Sequence, residues 1–302
     1  MKPKLSVIVV CLNSSDVRDA CLEALDSQVE SSSVEILAVG HWSADEQRVN
    51  SDGENGSPGG RFASVRWLSA SIDSTVPQMR TQAILQSRGE IVALLEDDCV
   101  VSEGWSSEVV QAHTAEHGII GGAILPGNYR RLLDWAVYFC EYARFMPPFS
   151  GNQNALPGNN VTYKRSALPS LHPGDGFYEV FFHDQWRNSG GLLIADPKLA
   201  VTNVNHWSTR HLTSIPFHHG RAFAGMRSAR FSPGKKIVYS LLSPALPAVK
   251  AMRLVAVVYS RRQYRTQFIL SLPLIMIFLV SWSIGEFVGY STGPGQSAEQ
   301  WR

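Results

Sequence analysis

The stretch Gly89-Glu90-Ile91-Val92-Ala93-Leu94-Leu95-Glu96-Asp97-Asp98-Cys99-Val100-Val101 decides how this chain is read. An apolar run of strand length ends abruptly in three carboxylates, and burying unpaired negative charge is costly. A positive partner is therefore expected at this end of the strand. A hard divalent cation, Mg2+ or Mn2+, suits the role, because it takes oxygen ligands and commonly shares them with a substrate's phosphates. Alternate residues at a strand end project to one side, so Glu96 and Asp98 form the expected ligand pair. A solvated acidic loop is the alternative for an isolated acidic triplet, and the rest of the chain weighs against it.

Upstream, Leu5-Ser6-Val7-Ile8-Val9-Val10-Cys11 reads as a strand buried on both faces of a parallel sheet. Asn13 to Asp16 supply turn and cap residues, Val17 to Leu25 a helix, and Val34 to Gly40 a second strand, which is the βαβ pattern with ligands expected at the carboxyl ends of strands. Residues 50–61 form a Gly/Ser/Pro-rich connecting loop, Phe62 to Leu68 a short strand and Gln78 to Ser87 a helix. Downstream, a helix is expected over Trp105 to Glu116 and a strand over Gly118 to Leu125. The aromatic segment Leu132 to Phe149 reads as core or as a membrane-facing surface. Polar residues crowd among aromatics at Gly158 to Arg165 and Gly174 to Arg187, as in a second wall of a cleft.

Across all 302 residues, 27 Lys and Arg face 26 Asp and Glu, so a net charge of +1 gives no bulk field for nucleic acid. Cys11, Cys21, Cys99 and Cys140 show neither a CxxC pair nor metal-finger spacing and read as reduced core thiols of a cytosolic chain. The apolar stretch Leu5 to Leu12 is too short for a signal peptide and lacks its cleavage pattern.

In order and spacing these segments resemble the inverting family 2 glycosyltransferases of the GT-A fold over roughly residues 5–225. The resemblance is carried by the Ser6-Val-Ile-Val-Val strand, Pro77-Gln-Met-Arg80, Arg88-Gly-Glu through Glu96-Asp-Asp98, Gly158-Asn-Asn160, and Gly176-Phe-Tyr-Glu179 followed by His183-Asp184. It implies an α/β, Rossmann-like nucleotide-diphospho-sugar transferase domain over 1–230. Asp98 then binds the metal under the diphosphate with Glu96 beside it, and Asn13, His41, Arg80, Glu96 and Asp97 contact the nucleotide sugar. Asp184 is the implied catalytic base, with Asn159, Glu179 and His183 on the acceptor wall; capping of its helix is the other role open to Asp184. The chain departs from the pattern in two places. Val10-Cys11-Leu12-Asn13 lacks the aromatic that stacks on the base, and Gly40-His41-Trp42 replaces the base-recognising carboxylate, leaving Ser43 and Asp45 and making His41 or Trp42 the base contacts. His183 also stands where a Glu often precedes the catalytic Asp, and the imidazole's charge would set its effect on that base. The cluster His206, Arg210, His211, His218, His219, Arg221, Arg227 and Arg230 reads as a flexible basic segment that closes over the diphosphate or meets anionic lipid.

Residues 231–302 read as a membrane-associated region. Phe268 to Ile284 has no charge and continues to Tyr290 with only Glu286, so a transmembrane helix is expected over 268–290. The segment 237–258, broken by Pro244 and Pro247, is expected to lie in the interface. Lys250, Arg253, Arg261, Arg262 and Arg265 precede the second segment, which puts that loop and the catalytic domain on the cytoplasmic side of the cell inner membrane. The expected activity is metal-dependent inverting transfer from a nucleoside diphosphate sugar to a hydroxyl of a lipid-linked or polysaccharide-precursor acceptor. The alternatives are transfer to polyprenyl phosphate, a metal-dependent nucleotidyltransferase, and a non-catalytic nucleotide-sugar-binding membrane scaffold.

Overall fold

The computed structural model describes residues 2–28, 33–42, 62 and 64–300; Ser43, Asp45 and the 50–61 loop lie outside them. In chain order the elements are β1 (Leu5–Cys11), α1 (Ser15–Asp26), β2 (Val34–Gly40), β3 (Val65–Ser69), α2 (Val76–Gln86), β4 (Ile91–Glu96), β5 (Cys99–Val101) and α3 (Trp105–Ala112). There follow β6 (Ile119–Gly121), β7 (Ile124–Pro126), α4 (Leu132–Tyr142), β8 (Gly151–Asn152), β9 (Asn160–Lys164), α5 (Glu179–Asn188), β10 (Leu193–Ala195) and β11 (Val201–Asn203). The chain ends in α6 (Ser214–Arg227), α7 (Pro233–Leu242), α8 (Leu246–Arg261) and α9 (Arg265–Thr292). Two compact units result, Met1–Gly127 with Pro147–Asn205 and Asn128–Met146 with His206–Arg302. The expected division at 230/231 falls inside the second unit.

The first unit is built on a sheet of order β3-β2-β1-β4-β9-β6-β10-β8 among the described residues. β1 runs parallel to both β2 and β4, whereas β9 runs antiparallel to β4 and β6. Every residue of β1 is buried, as its unbroken apolar run requires of a strand covered on both faces. α2 starts where Gln78 Oε1 accepts the Thr75 N–H at 2.9 Å and Pro77 fills its first turn. The expected strand over Gly118 to Leu125 is two, because the chain leaves the large sheet after β6 and enters a second sheet, β5-β11-β7, with β7.

The second unit is helical. α9 packs against α6 through small residues: a Cβ at Gly220 would strike the Trp282 carbonyl, one at Gly285 that of Phe217, and one at Gly289 that of Arg221. The aromatic segment forms α4, whose Trp135 and Phe139 stack before Phe139 meets Phe268 edge-on at 5.1 Å. The basic segment 206–230 is largely helix α6, with the Arg221 guanidinium donating to the Gly293 carbonyl at 3.3 Å. Two helices, Pro233–Arg261 and Arg265–Thr292, are long and apolar enough to cross a membrane. The first runs through both of its prolines, because Pro244 starts a 3-10 turn and Pro247 falls in the first turn of α8, where no amide hydrogen bond is lost.

Candidate active site

Strand order reverses about β1, and open α/β sheets bind ligands outside the carboxyl ends of their strands at such a point. β1 and β4 end there side by side, with Val10 opposite Glu96. The chain leaving β1 is tied to the chain leaving β4 by Asp97. One carboxylate oxygen accepts the Leu12 and Asn13 N–H groups at 3.0 and 2.9 Å, and the other accepts Asn13 Nδ2 at 2.7 Å. Asp97 is fully buried, so these bonds satisfy a carboxylate that water does not reach.

Glu96 takes a different partner. Arg80, delivered by α2 and only 5% exposed, donates to Glu96 Oε1 at 2.9 Å, to the Gly158 carbonyl at 3.2 Å, and to Glu179 Oε2. One guanidinium thus joins α2, the end of β4, the Gly158 turn before β9 and the first residue of α5. A Cβ at 158 would push the Glu179 carboxylate from its place on Arg80, so glycine suits this turn. Burial, outweighing the pull of Arg80, pushes the Glu96 carboxyl up to about 7, with Asp98, Glu179 and Asp97 adding to the effect. A quarter of the Glu96 side chain remains open to solvent, which softens that shift.

Asp98 is nearly buried and accepts Asn205 Nδ2 at 3.0 Å and the Cys99 thiol at 3.3 Å. Burial raises its pKa, opposed by hydrogen bonds from Asn203, Cys99 and Asn205. Burial likewise pushes Asp97 up to about 6 against the N–H groups of Asn13 and Leu12. Three successive carboxyls thus stand at one strand end, all pushed above their ordinary range chiefly by burial, with a single arginine beside them. Among the described residues no three His, Cys, Asp or Glu side chains converge as a ready-made metal cage. Mg2+-type sites instead use one or two carboxylates plus substrate phosphates, and oxygen donors in a charge-rich crevice fit that pattern. Asp98, oriented by Asn205, and Glu96, with one oxygen on Arg80, are the carboxylates that could serve.

Comparison with solved structures supplies the precedent for this sheet. The mannosyltransferase PcManGT from Pyrobaculum calidifontis, solved with GDP-Man and Mn2+, superposes over 95% of this chain and 87% of its own at a TM-score of 0.58 and 13% identity. The chain has a GT-A glycosyltransferase fold. TarS from S. aureus, solved with UDP-GlcNAc, covers 94% of this chain and 90% of its own at a TM-score of 0.51 and 12% identity. GalNAc-T7, solved with UDP, GalNAc and Mn2+, covers 68% of this chain and 45% of its own at a TM-score of 0.50 and 13% identity. Neither a protein-family model nor a curated protein sequence matches the chain.

Within the GT-A fold the remaining expected residues separate. Asp184 is exposed within α5, its side chain making no hydrogen bond or ion pair to a described residue. The adjacent His183 turns inward, its Nε2 2.9 Å from the Tyr163 hydroxyl, and packs in the core. Glu179 faces Arg80, and Asn159 is buried beside Gly158. His41 follows the end of β2, but Trp42 is no base platform: it is buried against Trp67, Arg18 lies over both rings, and its indole N–H donates to the Leu68 carbonyl at 3.1 Å. Sequence reading missed Asn203 and Asn205. Their Asn-x-Asn spacing after an apolar strand was the available signal, and only the pairing of Asn203 with Cys99 across β11 and β5 shows where it leads.

Proposed function

We propose that the chain is a metal-dependent, inverting glycosyltransferase that moves a sugar from a nucleoside diphosphate to a hydroxyl of a lipid-linked or polysaccharide-precursor acceptor, attached to the cytoplasmic face of the cell inner membrane. The observation that carries this reading is the carboxylate crevice Glu96-Asp97-Asp98 at the carboxyl ends of β1 and β4 in a GT-A fold. Asp98, with Asn205 orienting its carboxylate, would hold Mg2+ or Mn2+, which when bound neutralises the diphosphate leaving group. Asp97 fixes the Leu12–Asn13 loop that borders the nucleotide, and Arg80 fixes Glu96 relative to α5. Asp184 accepts the acceptor hydroxyl proton as that oxygen bonds to the anomeric carbon; the bond from this carbon to the diphosphate breaks on the opposite face, its electron pair leaving with the diphosphate.

Thermal melts of detergent-solubilised protein with UDP, GDP, dTDP or CDP, each with and without Mn2+, test the donor site. Stabilisation by one nucleotide that requires Mn2+ and disappears in Asp98→Ala is expected; no shift with any nucleotide would sink the reading. Asp184→Asn is expected to keep the nucleotide-dependent shift and abolish transfer to a hydroxyl acceptor.

A further inference from the structure

We infer that the helical unit docks on an anionic bilayer with its long helices in the membrane plane, so that Pro233–Arg261 and α9 sink an apolar face into one leaflet and neither crosses. This rests on the membrane attachment proposed above and is independent of the transfer chemistry.

α9 has two faces. Ile269, Pro273, Met276, Val280, Ile284 and Phe287, spaced three or four residues apart, are exposed along it. The opposite face is buried and polar in part: Ser271 donates to the Leu132 carbonyl at 3.3 Å, and Glu286 accepts Trp282 Nε1 at 2.6 Å and faces Lys250 Nζ at 3.5 Å. That face rests on α4 near Phe268 and on α6 from Trp282 to Gly289. At 11 and 14 residues these two helices are about 16 and 21 Å long, short of a hydrocarbon core of about 30 Å. They also carry charge: Asp134, paired with Arg131 at 2.6 Å, on α4, and Arg221 and Arg227 on α6. If α9 crossed, these short helices would have to enter the bilayer beside it without spanning it, taking helix ends with unpaired backbone groups into the apolar layer.

The Pro233–Arg261 helix makes the same point by position. Lys250 and Arg253 lie near its middle, and Arg253 is exposed with no ion-pair partner among the described residues. A crossing centred on this helix would put Arg253 inside the hydrocarbon layer, about 9 Å from its middle; an in-plane helix puts it among headgroups, with Ile237, Leu241 and Met252 exposed for the acyl layer. Arg261, Arg262 and Arg265 cluster at the turn into α9, where Arg265 lies 4.9 Å from the Tyr259 ring. Cations and an aromatic at the rim of an apolar face complement anionic lipid headgroups.

Topology decides the matter. Gln263→Cys, in the turn between α8 and α9, and Gln296→Cys, beyond α9, are made separately in the full chain. Each is treated with a membrane-impermeant maleimide in inverted and in right-side-out membrane vesicles, with the parent protein as background. Labelling of both from the cytoplasmic side alone is expected. Labelling of 296 from the outside would establish one crossing, labelling of 263 from the outside a hairpin, and either overturns the inference. In flotation with phosphatidylcholine vesicles, adding phosphatidylglycerol is expected to tighten binding at least about tenfold. The doubly substituted R262E/R265E protein, with an unchanged melt, should lose that preference; equal binding to both vesicle types by the parent would count against anionic docking. A chain that floats with neither would remove membrane attachment itself, leaving the transfer chemistry to the nucleotide melts.

Discussion

In the sheet unit Arg80 is enclosed between Glu96 and Glu179 while every apolar residue of β1 is out of water; in the helical unit Ile269, Val280 and Phe287 face outward and Glu286 is the residue enclosed. The first unit buries grease and concentrates charge at one end of its strands, as expected of a fold that binds a charged ligand from water. The second encloses Glu286 among its helices and turns an apolar stripe outward, with exposed arginines such as Arg253 and Arg265 beside it. Composition alone does not separate the two: what differs is which side of each element the partner lies on.

The comparison breaks most severely at Arg80. Arg80→Met leaves two carboxylates facing each other in a nearly dry crevice and is expected to cost about 3–5 kcal/mol. Denaturant melts measure this, and a variant as stable as the parent would show that the guanidinium does not hold the crevice together. Acid should bear next hardest on the sheet unit, through His113, whose ring lies 2.7 Å from the Thr162 hydroxyl. Burial pushes its imidazole down to about 4, so between about 6.5 and 4 the unfolded chain takes up a proton that the folded one refuses. Its contribution, about 3 kcal/mol, is complete above pH 6.5 and is lost as pH falls toward 4. His113→Gln is expected to flatten that part of the stability–pH curve.

Effects in the helical unit should be smaller and depend on the face. Gly289→Val pushes a side chain into the Arg221 carbonyl and is expected to cost about 2 kcal/mol in detergent melts. Ile284→Ser, on the exposed stripe of the same helix, should change that melt by less than about 0.5 kcal/mol. The contrast between these two neighbouring positions sharpens the distinction between faces; equal costs would mean that the outward stripe is packed against protein.

Much of the sheet unit is legible in the sequence because its signals are local. The run from Leu5 to Cys11 can be accommodated only in a doubly covered strand, and Ile91 to Asp98 announces both a strand and the charge at its end. What is not legible is long-range. Asn205 meets Asp98 across 107 positions, and the inward turn of His183 depends on Tyr163, which β9 brings in between β4 and β6. Likewise the basic segment 206–230 is a run of charge in one dimension and becomes α6 because its small residues Gly220, Ala224 and Gly225 fit against α9 and the turn beyond it. Prolines 244 and 247 mislead for a related reason: a proline breaks a helix only where an amide was needed, and both sit where a new turn begins.

The acidic triplet has a practical consequence for anyone who surveys it by saturation substitution. Its three letters look interchangeable on paper, yet each answers to a different correspondent: Asp97 to the backbone of Leu12 and Asn13, Glu96 to Arg80, Asp98 to Asn205. Changes at 97 should surface as low expression, since the loop after β1 loses its anchor. Changes at 98 should yield abundant, well-behaved protein that does no work. A map of yield against turnover across three consecutive codons would therefore separate the scaffolding from the chemistry.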